Sequence, residues 1–391
     1  MIGNRFRGAM YSVETQASDD SEEQVRCGFF QRFLHRCPVT FNGVCLGIGS
    51  QSILWKTLAT IAPKCLLHIC LTINLVVWYI SLIVIATVFF IYLLKIIIHF
   101  KAVRDEYEDR IRVNYFFAPW IALLFLGLGA PSSLLNYFAP RIAFLFLALG
   151  APSSLPETLH EAIWYILMFP IFCLDVKIYG EWLLGDKWKL SEVANPSNHL
   201  AIVGNFVGAL LGATMGLKEG ALFIFAVGLA HYAVLFVTLY QRLTTNKELE
   251  KNFRPVFFLF VAAPSVASMA WASIQGTFDN GSRIAFFVAL FLYFSLVRGQ
   301  LSEVNFYPIY RFSLSCWAYS FPMTGAAIAA IKYSNEVTNI LTRSLAVILS
   351  AICTITVATL VICTIYHGVV LQDLCPNFPA KNTTDSEAPR T

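Results

Sequence analysis

Residues 67–98 run for 32 positions with Lys95 as their only Lys, Arg, Asp or Glu, and with no Gly or Pro. A membrane-spanning helix needs about 20 mostly apolar residues, and this stretch exceeds that without an internal turn signal. Nine further stretches read the same way: 41–62, 115–134, 160–184, 197–217, 220–241, 255–277, 284–301, 309–333 and 339–368. Composition agrees. Hydrophobic residues make up 57% of the chain and charged residues 13%, about half the charged share of a soluble domain. The reading is an all-α polytopic membrane protein of ten transmembrane helices, with the lipid bilayer as its solvent.

The basic residues orient those spans. With the N-terminus inside, 21 of the 28 Lys and Arg fall on cytoplasmic segments, as the positive-inside rule requires. The other seven, Lys56, Lys64, Arg141, Lys218, Arg283, Lys332 and Arg343, fall outside or at outer span ends. Residues 1–36 lack the apolar core of a signal peptide, so the first span is expected to act as the insertion signal. The expected layout is a cytoplasmic tail over 1–40, a transmembrane domain over 41–370 and a cytoplasmic tail over 371–391.

An internal repeat complicates the third span. Residues 118–134 (APWIALLFLGLGAPSSL) and 139–155 (APRIAFLFLALGAPSSL) match at 14 of 17 positions, offset by 21. The bias of basic residues survives only if one copy spans. The first is preferred, because Trp120 suits a membrane interface where the second copy places Arg141. The second copy is then an insert near the outer face.

Odd and even spans differ in Gly and Pro: of the even ones, the second, eighth and tenth are nearly free of both, while the fourth has Pro170 and Gly180 and the sixth Gly228. The first holds Gly43, Gly47 and Gly49, the third Pro119, Gly127 and Gly129, and the fifth Gly204, Gly208, Gly212 and Gly216. Pro264 lies in the seventh, and Pro322 and Gly325 in the ninth. Glycines four apart share a helix face and let backbones approach. Proline removes one backbone hydrogen bond and kinks a helix, which is tolerated at membrane depth where the backbone is buried in protein or lines a watery path. Two arrangements satisfy this. Either Gly and Pro serve packing alone, or five helical hairpins place the odd helices in an inner ring around a central pore. The odd spans carry no Asp or Glu within their apolar stretches, which argues against a cation-selective ring. Lys56, Arg104, Arg112, Arg254 and Arg311 stand near span ends, where they serve either as membrane anchors or as anion-attracting mouths.

Other classes are excluded by what is missing. No basic patch interleaves with stacking aromatics, so no nucleic-acid partner is expected. There is no G-x-S-x-G, Walker A or H-E-x-x-H motif, so an enzyme is not expected. The seven histidines lack ligand spacing, and no metal or cofactor is expected. Most of the ten cysteines lie within apolar runs without a CxxC pair and read as small buried hydrophobes.

Five stretches carry a resemblance: FNGVCLGIGSQSILWK at 41–56, RVNYFFAPW at 112–120, GLAHYAVLFVTLYQRL at 228–243, APSVASMAWASIQGTFD at 263–279 and SLSCWAYSFPMTGAAIAAIKY at 313–333. With them the chain resembles the plant slow-type (S-type) anion channel family (SLAC/SLAH), itself distantly similar to bacterial tellurite-resistance and dicarboxylate transporters. The resemblance implies ten helices in five hairpins around a pore, assembly as a homotrimer or with related subunits, and passive passage of chloride and nitrate across the plasma membrane. It also implies a pore gate at Phe321 beside the helix kink at Pro322, pore-lining aromatics at Tyr115 and Phe125 (Phe146 in the second copy), and a basic inner mouth at Arg104. Phosphorylation control through long tails, known in better-studied members, is not expected here. Two other functions remain open: an electrically silent regulatory subunit, and a secondary transporter of dicarboxylates.

Overall fold

The computed structural model describes residues 31, 34–35, 37–61, 71–131, 155–184, 190–245, 251–303 and 312–371. The second repeat copy up to residue 154, Phe146, Arg311 and most of both tails lie outside the described residues. Among those described, every regular element is helical. The long helices are α1 (Asn42–Thr60), α2 (Leu71–Ile98), α4 (Phe117–Gly129), α5 (Leu155–Leu184), α6 (His199–Thr214), α7 (Lys218–Thr245), α8 (Leu259–Gln275), α9 (Asn280–Glu303), α10 (Ser320–Glu336) and α11 (Ile340–Ile365). A short α3 (Phe100–Glu108) follows α2.

Among the described residues eight segments are long and apolar enough to cross a membrane: those of α2, α4, α5, α7, α8, α9, α10 and α11, some with the turn that leads into them. The chain is therefore a membrane protein with multiple candidate spans. Two of the long helices miss that standard for different reasons. α6 has 16 residues, and α1 carries Asn42, Ser50, Gln51, Ser52 and Lys56 along its 19.

Burial divides the helices. The segments of α8 and α10 have 78% of their most apolar stretch covered by protein, against 22–39% for α2, α5, α7, α9 and α11. Residues 199–212 of α6 are all buried. By contrast Ile83, Phe90 and Ile97 of α2, Phe169 of α5, Phe291 of α9 and Ile355 of α11 are each more than 60% exposed. Large apolar side chains left bare in this way are stable only against lipid. α1 packs on α4, α4 on α6, α6 on α8, α8 on α10, and α10 again on α1. Against this set, α2 lies on α1, α5 on α4 and α6, α7 on α6, α9 on α8, and α11 on α10.

Small residues and polar ties explain these contacts. A Cβ at Gly212 would meet the Trp164 indole 2.8 Å away, and the same indole donates to the Gly208 carbonyl at 2.8 Å. Asn74 donates to the Ser52 carbonyl at 3.0 Å and Trp78 to the Leu126 carbonyl at 2.9 Å, joining α2 to α1 and α4. Lipid tails give apolar faces no reason to associate, so close packing and such hydrogen bonds must hold the helices together.

The buried helices share one device. Each of α1, α4, α6, α8 and α10 is entered through a 3-10 turn, over 39–41, 112–116, 196–198, 251–258 and 314–319. A proline stands at or near each entrance: Pro38, Pro119, Pro196, Pro255 and Pro322. Proline pre-sets the helical φ, and in the first turn its missing N–H costs no helical hydrogen bond. These turns also touch one another in chain order, and the last returns to the first. The five N-termini therefore gather at one end of the molecule.

Candidate functional site

The most selective feature lies where α4 and α10 close on α1. At Gly47 an added Cβ would fall 2.5 Å from the Ser320 hydroxyl and the Trp317 ring. At Gly49 it would sit 3.5 Å from Cβ of Phe125. Gly47 thus permits close approach from α10, while Phe125 of α4 rests at ordinary contact distance over Gly49. Phe125 of α4 and Phe321 of α10 then meet, with ring centroids 6.4 Å apart and planes inclined by 50°. This is within the range of an attractive aromatic pair. Both side chains are buried, at 5% and 3% exposure.

Pro322 follows Phe321 within the first turn of α10, next to the 3-10 turn over 314–319. Pro322 therefore stands at a 3-10-to-α junction. Tyr115 is half-buried in the 3-10 turn that leads into α4 and packs against the main core. Arg104 lies on α3, with its side chain 66% exposed, and its Nε donates to Glu108 Oε1 at 2.8 Å. The hydrogen bond and charge of Glu108 raise its pKa further, so it is a permanent cation. The structure therefore brings Phe125 and Phe321 together, and places Tyr115 and Arg104 on separate elements before α4.

Lys56 has a local task. Its Nζ donates to the Leu128 carbonyl at 2.8 Å, filling an acceptor that the end of α4 leaves open. Lys95, the one charged residue in the run 67–98, is buried at 1% exposure. It bonds Glu106 Oε1 at 2.9 Å and the Cys37 carbonyl at 2.7 Å. The signal for this pair was its setting: one lysine in an apolar run, followed by the acidic α3. Among the described residues no three His, Cys, Asp or Glu are grouped to hold a metal ion, and Cys45, Cys173, Cys316, Cys353 and Cys363 are free thiols.

Fold and site together define a class: an all-α membrane protein with an aromatic pair buried among its most protein-covered helices. Residues 36–365 match the family described as SLAC1, voltage-dependent anion channel. The chain is 55% identical to S-type anion channel SLAH3 of Arabidopsis thaliana over 345 residues, which are 88% of this chain and 50% of that protein. It is 53% identical to S-type anion channel SLAH2 of the same plant, over 88% of this chain and 62% of that protein. To guard cell S-type anion channel SLAC1 the identity is 48%, over 88% of this chain and 58% of that protein. The chain belongs to the SLAC1 voltage-dependent anion channel family. It spans between 50% and 62% of the length of these three relatives, which are channels rather than enzymes.

Proposed function

We propose that the chain is a slow-type anion channel subunit, passing small anions such as chloride and nitrate passively and closed by the ring of Phe321. In this reading α1, α4, α6, α8 and α10 ring a central pore, and α2, α5, α7, α9 and α11 enclose them, giving ten crossings in five hairpins. The proposed setting is the plasma membrane, with segments 1–40 and 371–391 cytoplasmic, and the proposed assembly is a homotrimer or a mixed oligomer with related subunits.

The observation that carries the reading is the contact between Phe125 and Phe321. They come from two helices that both pack on α1, and a family of anion channels supplies the context. Two apolar rings at the narrowest part of a pore exclude a hydrated anion until one ring moves. The helix contacts that return to their start support the ring, and the gathered N-termini support an anion-attracting mouth. Each helix N-terminus presents roughly half a positive charge. Attraction there, with no Asp or Glu in the apolar stretches of the ring helices, suits conduction better than tight binding. Tyr115 and Arg104 are proposed to line the approach from that mouth.

The test is anion current in oocytes for wild type and Phe321→Ala, with surface protein measured. Large chloride or nitrate currents from the mutant over a small wild-type background are expected. Silence from both at normal surface density refutes an autonomous channel and favours a regulatory subunit. Saturable, proton-dependent uptake of dicarboxylates favours a transporter.

A further inference from the structure

One turn beyond Phe321, Thr324 is fully buried and joins three helices. Its hydroxyl donates to the Ser320 carbonyl at 2.9 Å. Around the same oxygen lie Gln51 Nε2 of α1 at 3.0 Å, Ser50 Oγ of α1 at 3.1 Å and Cys353 Sγ of α11 at 3.0 Å. Gln51 Nε2 also reaches Cys353 Sγ at 3.1 Å.

A hydroxyl has one proton to give and two lone pairs to fill. Ser50 has its own shorter bond, to the Gly47 carbonyl at 2.8 Å, which leaves Gln51 as the principal donor to Thr324. Gln51 is 5% exposed, and its Oε1 has no hydrogen-bond partner among the described residues. An orphaned buried acceptor is costly, so this amide is held in place for its donors.

We propose that the bond from Gln51 to Thr324, with Cys353 beside it, is a latch that holds the first turn of α10 and keeps Phe321 against Phe125. The inference rests on Phe321 being the gate. Phe321 sits between a 3-10 turn and Pro322, where the regular hydrogen-bond ladder of α10 has not yet begun. Thr324 supplies the missing restraint twice. It bonds back to Ser320 within the turn, a pattern that bends helices, and it bonds across to α1. Gln51 and Thr324 are therefore positioning residues, acting on the pathway through Phe321. Ordinary helix-to-helix glue predicts lower assembly on mutation, and a latch predicts a more open channel.

Thr324→Val keeps the volume and removes the hydroxyl, while Thr324→Ser keeps the hydroxyl. Each is expressed in oocytes alone and combined with Phe321→Ala, and currents are normalised to surface protein. Thr324→Val is expected to raise the current about tenfold, equivalent to ~1.4 kcal/mol, and Thr324→Ser to match wild type. In the Phe321→Ala background Thr324→Val is expected to add nothing, because the obstacle is already gone. An unchanged Thr324→Val current, or an equal rise in both backgrounds, overturns the latch. Silent Phe321→Ala at the surface instead overturns the gate on which it rests. If Thr324→Val does not reach the surface, Gln51→Leu cuts the same bond from α1. Its current must rise in the same way, and a wild-type level overturns the latch.

Discussion

Removing one partner of the Lys95–Glu106 pair should weaken the protein more than removing both. The nitrogen and oxygen are 2.9 Å apart, with the side chains 1% and 7% exposed, so water screens little of the attraction. Lys95 also holds the Cys37 carbonyl, and the Tyr92 hydroxyl donates to the second Glu106 oxygen at 3.0 Å. Glu106→Ala strands a buried ammonium beside an apolar helix, which costs about 3–5 kcal/mol. A matched Lys95→Met, Glu106→Leu pair leaves no stranded charge and is near neutral in comparable cases. For a long chain each kcal/mol shifts the melting temperature by about 2 °C or less. The single mutant should therefore melt roughly 5–10 °C lower in detergent, followed by fluorescence-detected size exclusion after heating, and the double mutant should recover most of that loss. A single mutant within about 1 °C of wild type, or a double mutant worse than the single, would refute the argument that a desolvated ion pair ties α3 and the segment before α1 to α2.

Two further predictions use the same assay. Gly212→Val drives a side chain into the Trp164 indole and should cost about 1–3 kcal/mol through overpacking. Gly180→Ala meets nothing within 4 Å and should stabilise α5 by about 0.5–1 kcal/mol. Asp279 accepts from the Ser282 N–H at 2.9 Å, from its hydroxyl at 3.0 Å and from the Trp271 indole at 3.1 Å. These bonds, the Ser282 backbone N–H foremost, hold its pKa below the ordinary carboxylate value. The folded protein thus takes up this proton less readily than the unfolded chain. Its contribution is complete at neutral pH and is lost as pH falls through and below the usual carboxylate range. Melting curves across acidic pH should fall more steeply for wild type than for Asp279→Asn, and parallel curves would refute the assignment.

Much of this protein follows from its order of residues. A run such as 67–98 declares a membrane helix because hydropathy is a sum over neighbours in the chain and needs no knowledge of what packs where. Gly and Pro are denser in the protein-covered helices and missing from α2 and α11, but Pro170 and Gly180 in α5 and Gly228 in α7 show that this contrast marks the division only in part. The resemblance rested on contiguous stretches, and the family match covers them. Local sums mislead where burial by protein replaces burial by lipid. α6 is only 16 residues long and α1 carries a row of polar side chains, so each departs from a lipid-facing span although both are heavily buried in the fold.

The resemblance named Phe321 and Phe125 one by one, and the tertiary structure decided that they meet. Phe321 is one of 33 phenylalanines, and nothing along the chain says that it meets Phe125. Their contact depends on how α4 and α10 each settle against α1. Gln51 in an apolar stretch and Thr324 after a proline are unremarkable singly; their bond closes across 273 positions. Lys95 shows the same limit: the chain marks it as one charge in an apolar run, and only folding makes it half of a buried ion pair. Hydropathy and propensity are properties of neighbouring residues. Which side chains share a hydrogen bond or a ring contact is a property of helix rotation and approach, and only packing fixes those.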